Sequence, residues 1–339
     1  MPRVSYKDNS NGSLILEPQR TNLVTSSNNL TSQWGGYAFS GGNMTLNYGV
    51  LSPDGSNNAT RLTYTNSSAG TGGALLTQNI NLVANAVYTI SFWAKNISGQ
   101  KRIRLDLKNT SSAGVSGTSF ELTDKWQKYS HTVTNDNATN RGVQIRIIDS
   151  EFAGNRVFDM WGVQLEQASN ATSTIPTIGS AVTRNADVAG DSNFIPSSNK
   201  ATLFIEIKGD DNTKNRNVCG FRNGTTNQYG LYFWGSDNNK FGFNSWSNDS
   251  YGITNSTIFD GNTHKIAAVF DFSDFTQNVL YIDGVKQTIS QTRGITSQRS
   301  QNKVSLSAPS TAENPIQEVI NFKCFNEALS DSELATLTT

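Results

Sequence analysis

The residues with the clearest capacity for chemistry in this chain are aromatics set among polar loop residues. Trp234 precedes Gly235-Ser236-Asp237-Asn238-Asn239, and Trp246 sits in Ser245-Trp246-Ser247-Asn248-Asp249. An aromatic ring offers an apolar face on which a sugar ring stacks, and nearby amides and hydroxyls bond the sugar hydroxyls. Tyr232 and Tyr251 accompany this pair. Trp34, Tyr37, Phe39 and Tyr48 lie in an early Gly- and Asn-rich stretch, and Trp93 falls on the strand face opposite Phe92. A single aromatic more often fills a core, and Trp126 and Trp161 are expected to do so because they sit in strand-like phrases. Trp234 and Trp246 are the first choices for ligand contact, followed by Tyr232, Tyr251, Trp34 and Tyr37.

Catalytic constellations are scarce. The chain has two histidines, His131 and His264, both in alternating strand patterns. Nucleophilic catalysis needs a nucleophile, a base and a group that orients the base, and no Gly-x-Ser-x-Gly turn supplies one. Glycoside hydrolysis needs two carboxylates flanking one bond. Residues i and i+2 of a strand share a face, yet Glu206 is followed by Ile207 and Lys208, and Asp106 is flanked by Arg104 and Lys108. No enzyme is expected. Asp210, Asp211, Asp237 and Asp249 fall in loops without a recurring metal-loop spacing.

The elements that must position these residues are strands. Ile103, Leu105 and Leu107 alternate with charges in 101–108, and 142–147 repeats the pattern. Tyr88, Ile90 and Phe92 share one face of 87–94, and Leu203, Ile205 and Ile207 one face of 201–207. Period two over six to eight residues marks half-buried antiparallel strands. A strand is also expected at 240–243. Residues 264–270 and 278–282 read as a central pair of strands, closed by Asp283-Gly284, a favoured hairpin turn. A last strand covers 318–325. Ser330 with Glu333 three residues on is a capping box that starts a short C-terminal helix. The expected fold class is therefore all-β: two tandem antiparallel sandwiches of jelly-roll type with a short C-terminal helix.

Composition agrees. Hydrophobic residues are 35% and charged residues 16%, but the apolar ones cluster in alternating runs, which argues against disorder. Lys+Arg and Asp+Glu are both 27, so the chain has no net charge with which to grip a phosphate backbone, and nucleic acid is excluded as an expected partner. Met1 to Asp8 holds no apolar run, so no secretory leader is expected, and no apolar stretch is long enough to enter a membrane. Cys219 and Cys324 both sit beside apolar neighbours and read as buried small hydrophobes rather than a disulfide framework.

Three phrases go further. They are Leu14-Ile15-Leu16-Glu17-Pro18-Gln19-Arg20-Thr21-Asn22-Leu23, Trp161-Gly162-Val163-Gln164-Leu165-Glu166, and Pro176-Thr177-Ile178-Gly179-Ser180-Ala181-Val182-Thr183-Arg184-Asn185-Ala186-Asp187. In this order and spacing they resemble the borders of a carbohydrate-binding-module-like β-sandwich found in bacteriophage tail-fibre and virion-surface proteins. The resemblance covers residues 1–188. It implies attachment to a glycosylated surface. It also implies a structural Ca2+ as the one metal to look for, with Glu17, Asn22 and Asp159 as its candidate ligands; no cofactor is required otherwise.

After a connector at 189–199, residues 200–339 resemble a laminin-G-like, concanavalin-A-like sandwich. The matching phrases are Asp260-Gly261-Asn262-Thr263-His264, Leu280-Tyr281-Ile282-Asp283-Gly284 and Phe325-Asn326-Glu327-Ala328-Leu329-Ser330. Thr263 replaces the family's usual aromatic and Phe325 its usual Tyr. The resemblances imply a non-catalytic component of a virion surface, made in the bacterial host cytoplasm. Its implied partners are host cell-surface polysaccharide, other virion proteins and two further copies of itself in a homotrimer. A structural decoration protein without a glycan ligand, and a polysaccharide depolymerase, are the alternatives. In the resembled proteins an anchoring segment precedes the Pro2-Arg3-Val4-Ser5-Tyr6 opening, so either the chain is a piece of a longer one or it attaches by another route.

Overall fold

The structure, a computed structural model, describes residues 3–5, 10, 12–30, 33–66, 72–108, 114–135, 142–148, 154–187, 189–191, 199–209, 215–223, 226–234, 240–245, 250–254, 258–290, 303–306 and 317–339. Apart from one 3-10 turn and one C-terminal helix, the described elements are strands, every pairing among them antiparallel. The fold is all-β, as expected. No helix among the described residues is long and apolar enough to cross a membrane.

The chain divides into two compact units, and not where the sequence suggested. An inserted unit spans Arg20–Arg184, and a split unit joins Met1–Gln19 to Asn185–Thr339. The expected boundaries of 1–188, 189–199 and 200–339 assign the first nineteen residues to the wrong sandwich. Strand Ser13–Leu16 pairs with Gln317–Phe325, matching Leu14 to Val319, and Leu16 is buried in the split unit's core. A short apolar run such as Leu14-Ile15-Leu16 can extend any sheet edge, and proximity in sequence does not say which. Part of the expected connector is also ordered: Ala189–Asp191 pairs with Lys303–Leu306.

The inserted unit has two five-stranded sheets. The front sheet runs Gly114–Glu121, Arg102–Lys108, Val143–Ile148, Gly73–Gln78, Gly35–Phe39 in spatial order. The back sheet runs Gln127–Thr134, Val87–Gly99, Arg156–Glu166, Ala59–Asn66, Gly42–Val50. The predicted alternation is realised: Ile103, Leu105 and Leu107 meet Val143, Ile145 and Ile147 in a core that also takes Tyr88, Ile90 and Phe92. Burying each such side chain contributes about 1.5–3 kcal/mol. The long strand Arg156–Glu166 could not keep strict alternation and bury Phe158, Met160, Val163 and Leu165 together. The register with Val87–Gly99 shifts between Trp161 and Gln164, and Gly162 sits there at φ 63, a left-handed conformation suited to glycine. The extra residue returns Val163 and Leu165 to the core.

The motif phrases close this unit. Strand Arg20–Asn22 pairs with Val182–Arg184. Leu23 N–H donates to Leu165 O, Val163 N–H to Ser27 O, and Ser27 N–H to Thr177 O. Buried Glu166 accepts from both the hydroxyl and the N–H of Thr172, and Gln164 donates to Glu166. These residues fasten segment 166–178; their chemistry is spent on their own backbone.

In the split unit a seven-stranded sheet runs Arg3–Ser5, Ser13–Leu16, Gln317–Phe325, Lys200–Lys208, Thr263–Asp271, Val279–Ile282, Val285–Lys286. It encloses a core with a six-stranded sheet running Ala189–Asp191, Lys303–Leu306, Arg216–Asn223, Thr226–Trp234, Lys240–Ser245, Ser250–Thr254. Edge-on aromatics fill that core, with Phe221 and Phe243 both about one ring's width from Phe270. Thr263–Asp271 and Val279–Ile282 pair as expected, but the pair is not central: only the two-residue strand Val285–Lys286 lies beyond. Asp283 (φ 48) and Gly284 (φ 78) form the predicted turn. The helix Asp331–Thr338 starts at the Ser330–Glu333 capping box and buries Leu334 against Phe204, Ala267 and Tyr281. Cys219 is fully buried and Cys324 half-buried, both as free thiols; burial pushes the Cys324 thiol up to about 12.

Candidate functional site

The structure places the three expected metal ligands as follows. Asn22 and Asp159 belong to the inserted unit and Glu17 to the split unit. Asn22 is fully buried and bonds four backbone groups: its Nδ2 donates to Val163 O (3.3 Å) and Ile175 O (2.9 Å), and its Oδ1 accepts from Val24 N–H and Leu165 N–H (both 3.1 Å). Asp159 is clamped by Arg61, with Nε at 2.7 Å and Nη2 at 3.1 Å, and by Lys95 at 3.4 Å. The buried Glu17 is tied by its backbone to Asp187: its N–H donates to Asp187 Oδ2 and its carbonyl accepts from Asp187 N–H. A buried polar residue in a motif can satisfy protein backbone as readily as a cation, and Asn22 does so here.

The aromatic candidates sort by burial. Trp34 is 4% exposed, with its indole N–H donating to Ser26 O at 2.8 Å, so it is a core residue and not a ligand platform. Trp161 is buried as expected, its indole bonded to Asn58. Trp126 is not: it is half-buried, with the Lys95 ammonium 5.1 Å from its ring centre. Tyr232 and Trp234 lie on the outer face of Thr226–Trp234, half-buried, with ring centres 4.7 Å apart. Asn217 and Gly242 pair with Tyr232, and Lys240 with Trp234. Trp246 and loop residues 235–239 lie outside the described residues, as does the side chain of Tyr251.

Tyr37 is different. It is 63% exposed on the outer face of the front sheet, stacked on Phe39 with ring centres 5.9 Å apart. Strand register carries that row across the sheet: Tyr37 pairs with Leu75, Leu75 with Arg146, Arg146 with Arg104, and Arg104 with Ser119. The adjacent row runs Gly35, Thr77, Gln144, Asp106, Gly117. Asp106 and Gln144 are both fully buried on this face, while Tyr37 at its edge is exposed. Arg104 Nε reaches both Asp106 oxygens, at 2.9 and 3.1 Å, and Arg146 Nη1 approaches at 3.5 Å. Burial raises the Asp106 pKa, and the two guanidiniums pull against it without cancelling it. Gly117 makes room for this carboxylate, since a Cβ there would collide with Asp106 Oδ1 and Leu105 O.

The face therefore combines an exposed aromatic ring with guanidinium donors held by a buried carboxylate. Such a set can stack on a sugar ring and bond its oxygens. Sequence reasoning placed Tyr37 among the candidates and put Arg104 and Asp106 on one strand face. It missed Arg146 and Gln144, because the register that sets Val143–Ile148 beside Arg102–Lys108 is a long-range property.

Residues 22–149 match the family model described as a carbohydrate binding domain. No curated protein matches the chain. Among solved structures, a native heptameric SAP-like pentraxin from Limulus polyphemus is 14% identical, with a TM-score of 0.37, covering 45% of this chain and 75% of that one. The enzymatically active domain of tailspike protein 4 from bacteriophage CBA120 is also 14% identical, with a TM-score of 0.31, covering 42% of this chain and 21% of that one. A family 11 carbohydrate-binding module from Clostridium thermocellum is 14% identical, with a TM-score of 0.30, covering 44% and 98%. The chain carries a carbohydrate-binding-module-like β-sandwich, and the Tyr37 face belongs to it.

Proposed function

We propose that this chain is a non-catalytic glycan-binding protein of a bacteriophage surface, which holds host cell polysaccharide on the Tyr37 face of its inserted unit. The observation that carries the reading is the exposure of Tyr37 beside Arg146, Arg104 and Asp106, within the region that matches a carbohydrate binding domain. The phage context rests on the phrases at 14–23, 161–166 and 176–187, and the laminin-G-like character of the split unit rests on those at 260–264, 280–284 and 325–330. Against a depolymerase stands the state of Asp106: it is held by two guanidiniums, whereas hydrolysis requires a second carboxylate across the scissile bond. The Tyr232–Trp234 pair is a secondary platform on the split unit.

The test is binding of the purified chain to intact host bacteria and to their extracted polysaccharide, with release of reducing ends followed in parallel. Saturable binding without release, lost in Tyr37→Ala and retained in Trp234→Ala, is the expected result. Release of reducing ends would overturn the non-catalytic reading. Binding lost only in Trp234→Ala would move the site to the split unit.

A further inference from the structure

Resting on that reading of the Tyr37 face, we infer that its ligand is an acidic glycan, one whose sugars bear carboxylates, and that Arg146 is the residue that selects it. The argument starts from hydrogen-bond accounting. A guanidinium carries five N–H donors and is never deprotonated. Arg104 spends its Nε on both oxygens of Asp106. Arg146 is held more loosely: among the described residues its guanidinium makes one contact, the 3.5 Å approach of Nη1 to Asp106 Oδ2, and its buried Nε–H has no partner. Its side chain is only 18% exposed, so much of the fork is already withdrawn from water. A buried donor without an acceptor is a cost that folded proteins rarely carry without a reason. The accessible part of the fork can still take an arriving carboxylate, whose two oxygens match guanidinium donors.

Charge on the face points the same way. By strand register the outward charges of the front sheet are Arg102, Arg104, Lys108 and Arg146 against Asp106 and Glu121, a positive surplus on a chain whose net charge is zero. Glu121 is taken up by Arg102 at 3.4 Å, and Asp106 chiefly by Arg104, so of the three arginines Arg146 is the least neutralised. Arg146 is also the guanidinium nearer to Tyr37. Two strand spacings, roughly 9.5 Å, separate their backbones, with Leu75 between them. A sugar stacked on Tyr37 thus presents its own or its neighbour's carboxylate to Arg146. A neutral glycan would stack equally well on Tyr37 but would offer the Arg146 guanidinium a weaker, uncharged acceptor. The expected preference is about tenfold or more.

The experiment compares polygalacturonate, hyaluronan and polysialic acid, each against its carboxyl-reduced neutral form, for binding to the full chain. At least one acidic form should bind about tenfold or more tightly than its reduced form. Arg146→Gln should erase that difference while keeping the weaker neutral binding, Tyr37→Ala should abolish both, and Arg102→Gln should change neither. Equal binding of acidic and reduced forms to the wild-type chain would overturn the inference and leave the glycan reading standing. So would a loss in Arg102→Gln as large as in Arg146→Gln, since binding would then follow diffuse charge. No binding of any polysaccharide, acidic, reduced or host-extracted, by folded protein would remove the glycan reading itself.

Discussion

Replacing Asn22 with Ala tests whether the Arg20-Thr21-Asn22-Leu23 phrase is an internal strut or a ligand site. The substitution removes four hydrogen bonds from a fully buried position. Two N–H donors, on Val24 and Leu165, and two carbonyls, on Val163 and Ile175, lose their side-chain partner. An orphaned buried polar group costs about 1–3 kcal/mol, and carbonyls tolerate the loss better than N–H groups. Two N–H groups at the middle of that range give about 3–4 kcal/mol. For a unit of this size that corresponds to roughly 10 °C of melting temperature. Asn22→Asp keeps the acceptor but sets a carboxylate oxygen against two carbonyls, so it should cost at least as much. Four of the six tryptophans, at 34, 93, 126 and 161, lie in the inserted unit, so urea unfolding followed by fluorescence reads mainly that unit. A loss under about 1 kcal/mol would refute the strut. So would a wild-type chain that chelator destabilises to the level of Asn22→Ala while leaving the variant unchanged, because Asn22 would then act through a metal.

Two further outcomes follow from the geometry of the split unit. Deleting Met1–Gln19 withdraws Leu16 from the core and strips Gln317–Phe325 of its edge partner. Calorimetry should show the split unit's transition lowered by about 5 °C or more with the inserted unit's unmoved, and an unshifted split-unit transition would contradict the assignment of these residues. His264 bridges Asp260 (Nε2 to Oδ1, 3.0 Å) and Asp283 (Nδ1 to Oδ2, 2.7 Å). Burial lowers its pKa, but the two carboxylates outweigh burial and the net shift is upward. The bridge therefore stabilises fully below the unfolded value of about 6.5 and fades as pH rises through the higher folded value. Asp260, held down to about 2 by the Asn262 N–H and His264, keeps its contribution until pH falls through that value. Wild type should exceed His264→Gln in stability between about pH 4 and 6.5 and converge with it at alkaline pH. A difference that grows with alkalinity would contradict the bridge.

The sandwiches were legible in the sequence because half-buried strands record their faces in period two. Ile103, Leu105 and Leu107 all point inward as that pattern requires, and Ser330 with Glu333 announced the helix by local bonds alone. Domain membership was not legible. Leu14 and Leu16 read as a strand, but their partner lies more than 300 positions away at Gln317–Phe325. The site was half legible for a similar reason. Tyr37 was a candidate by type, and Arg104 and Asp106 shared a strand face but read only as evidence against a hydrolase, whereas Arg146 joins them only through register between non-consecutive strands. The motif residues show the converse limit of reading by type. Asn22 and Asp159 have the chemistry of metal ligands, and in the fold that chemistry is consumed by four backbone groups and by Arg61 with Lys95.

The central claim is that the Tyr37 face holds the glycan. The most direct measurement is the affinity of the full chain for extracted host polysaccharide, taken for wild type and Tyr37→Ala with the melting temperature of each. Tyr37 is 63% exposed, so its truncation should leave the fold intact and weaken binding by about tenfold or more. Unchanged affinity in a Tyr37→Ala protein that melts like wild type would contradict the account.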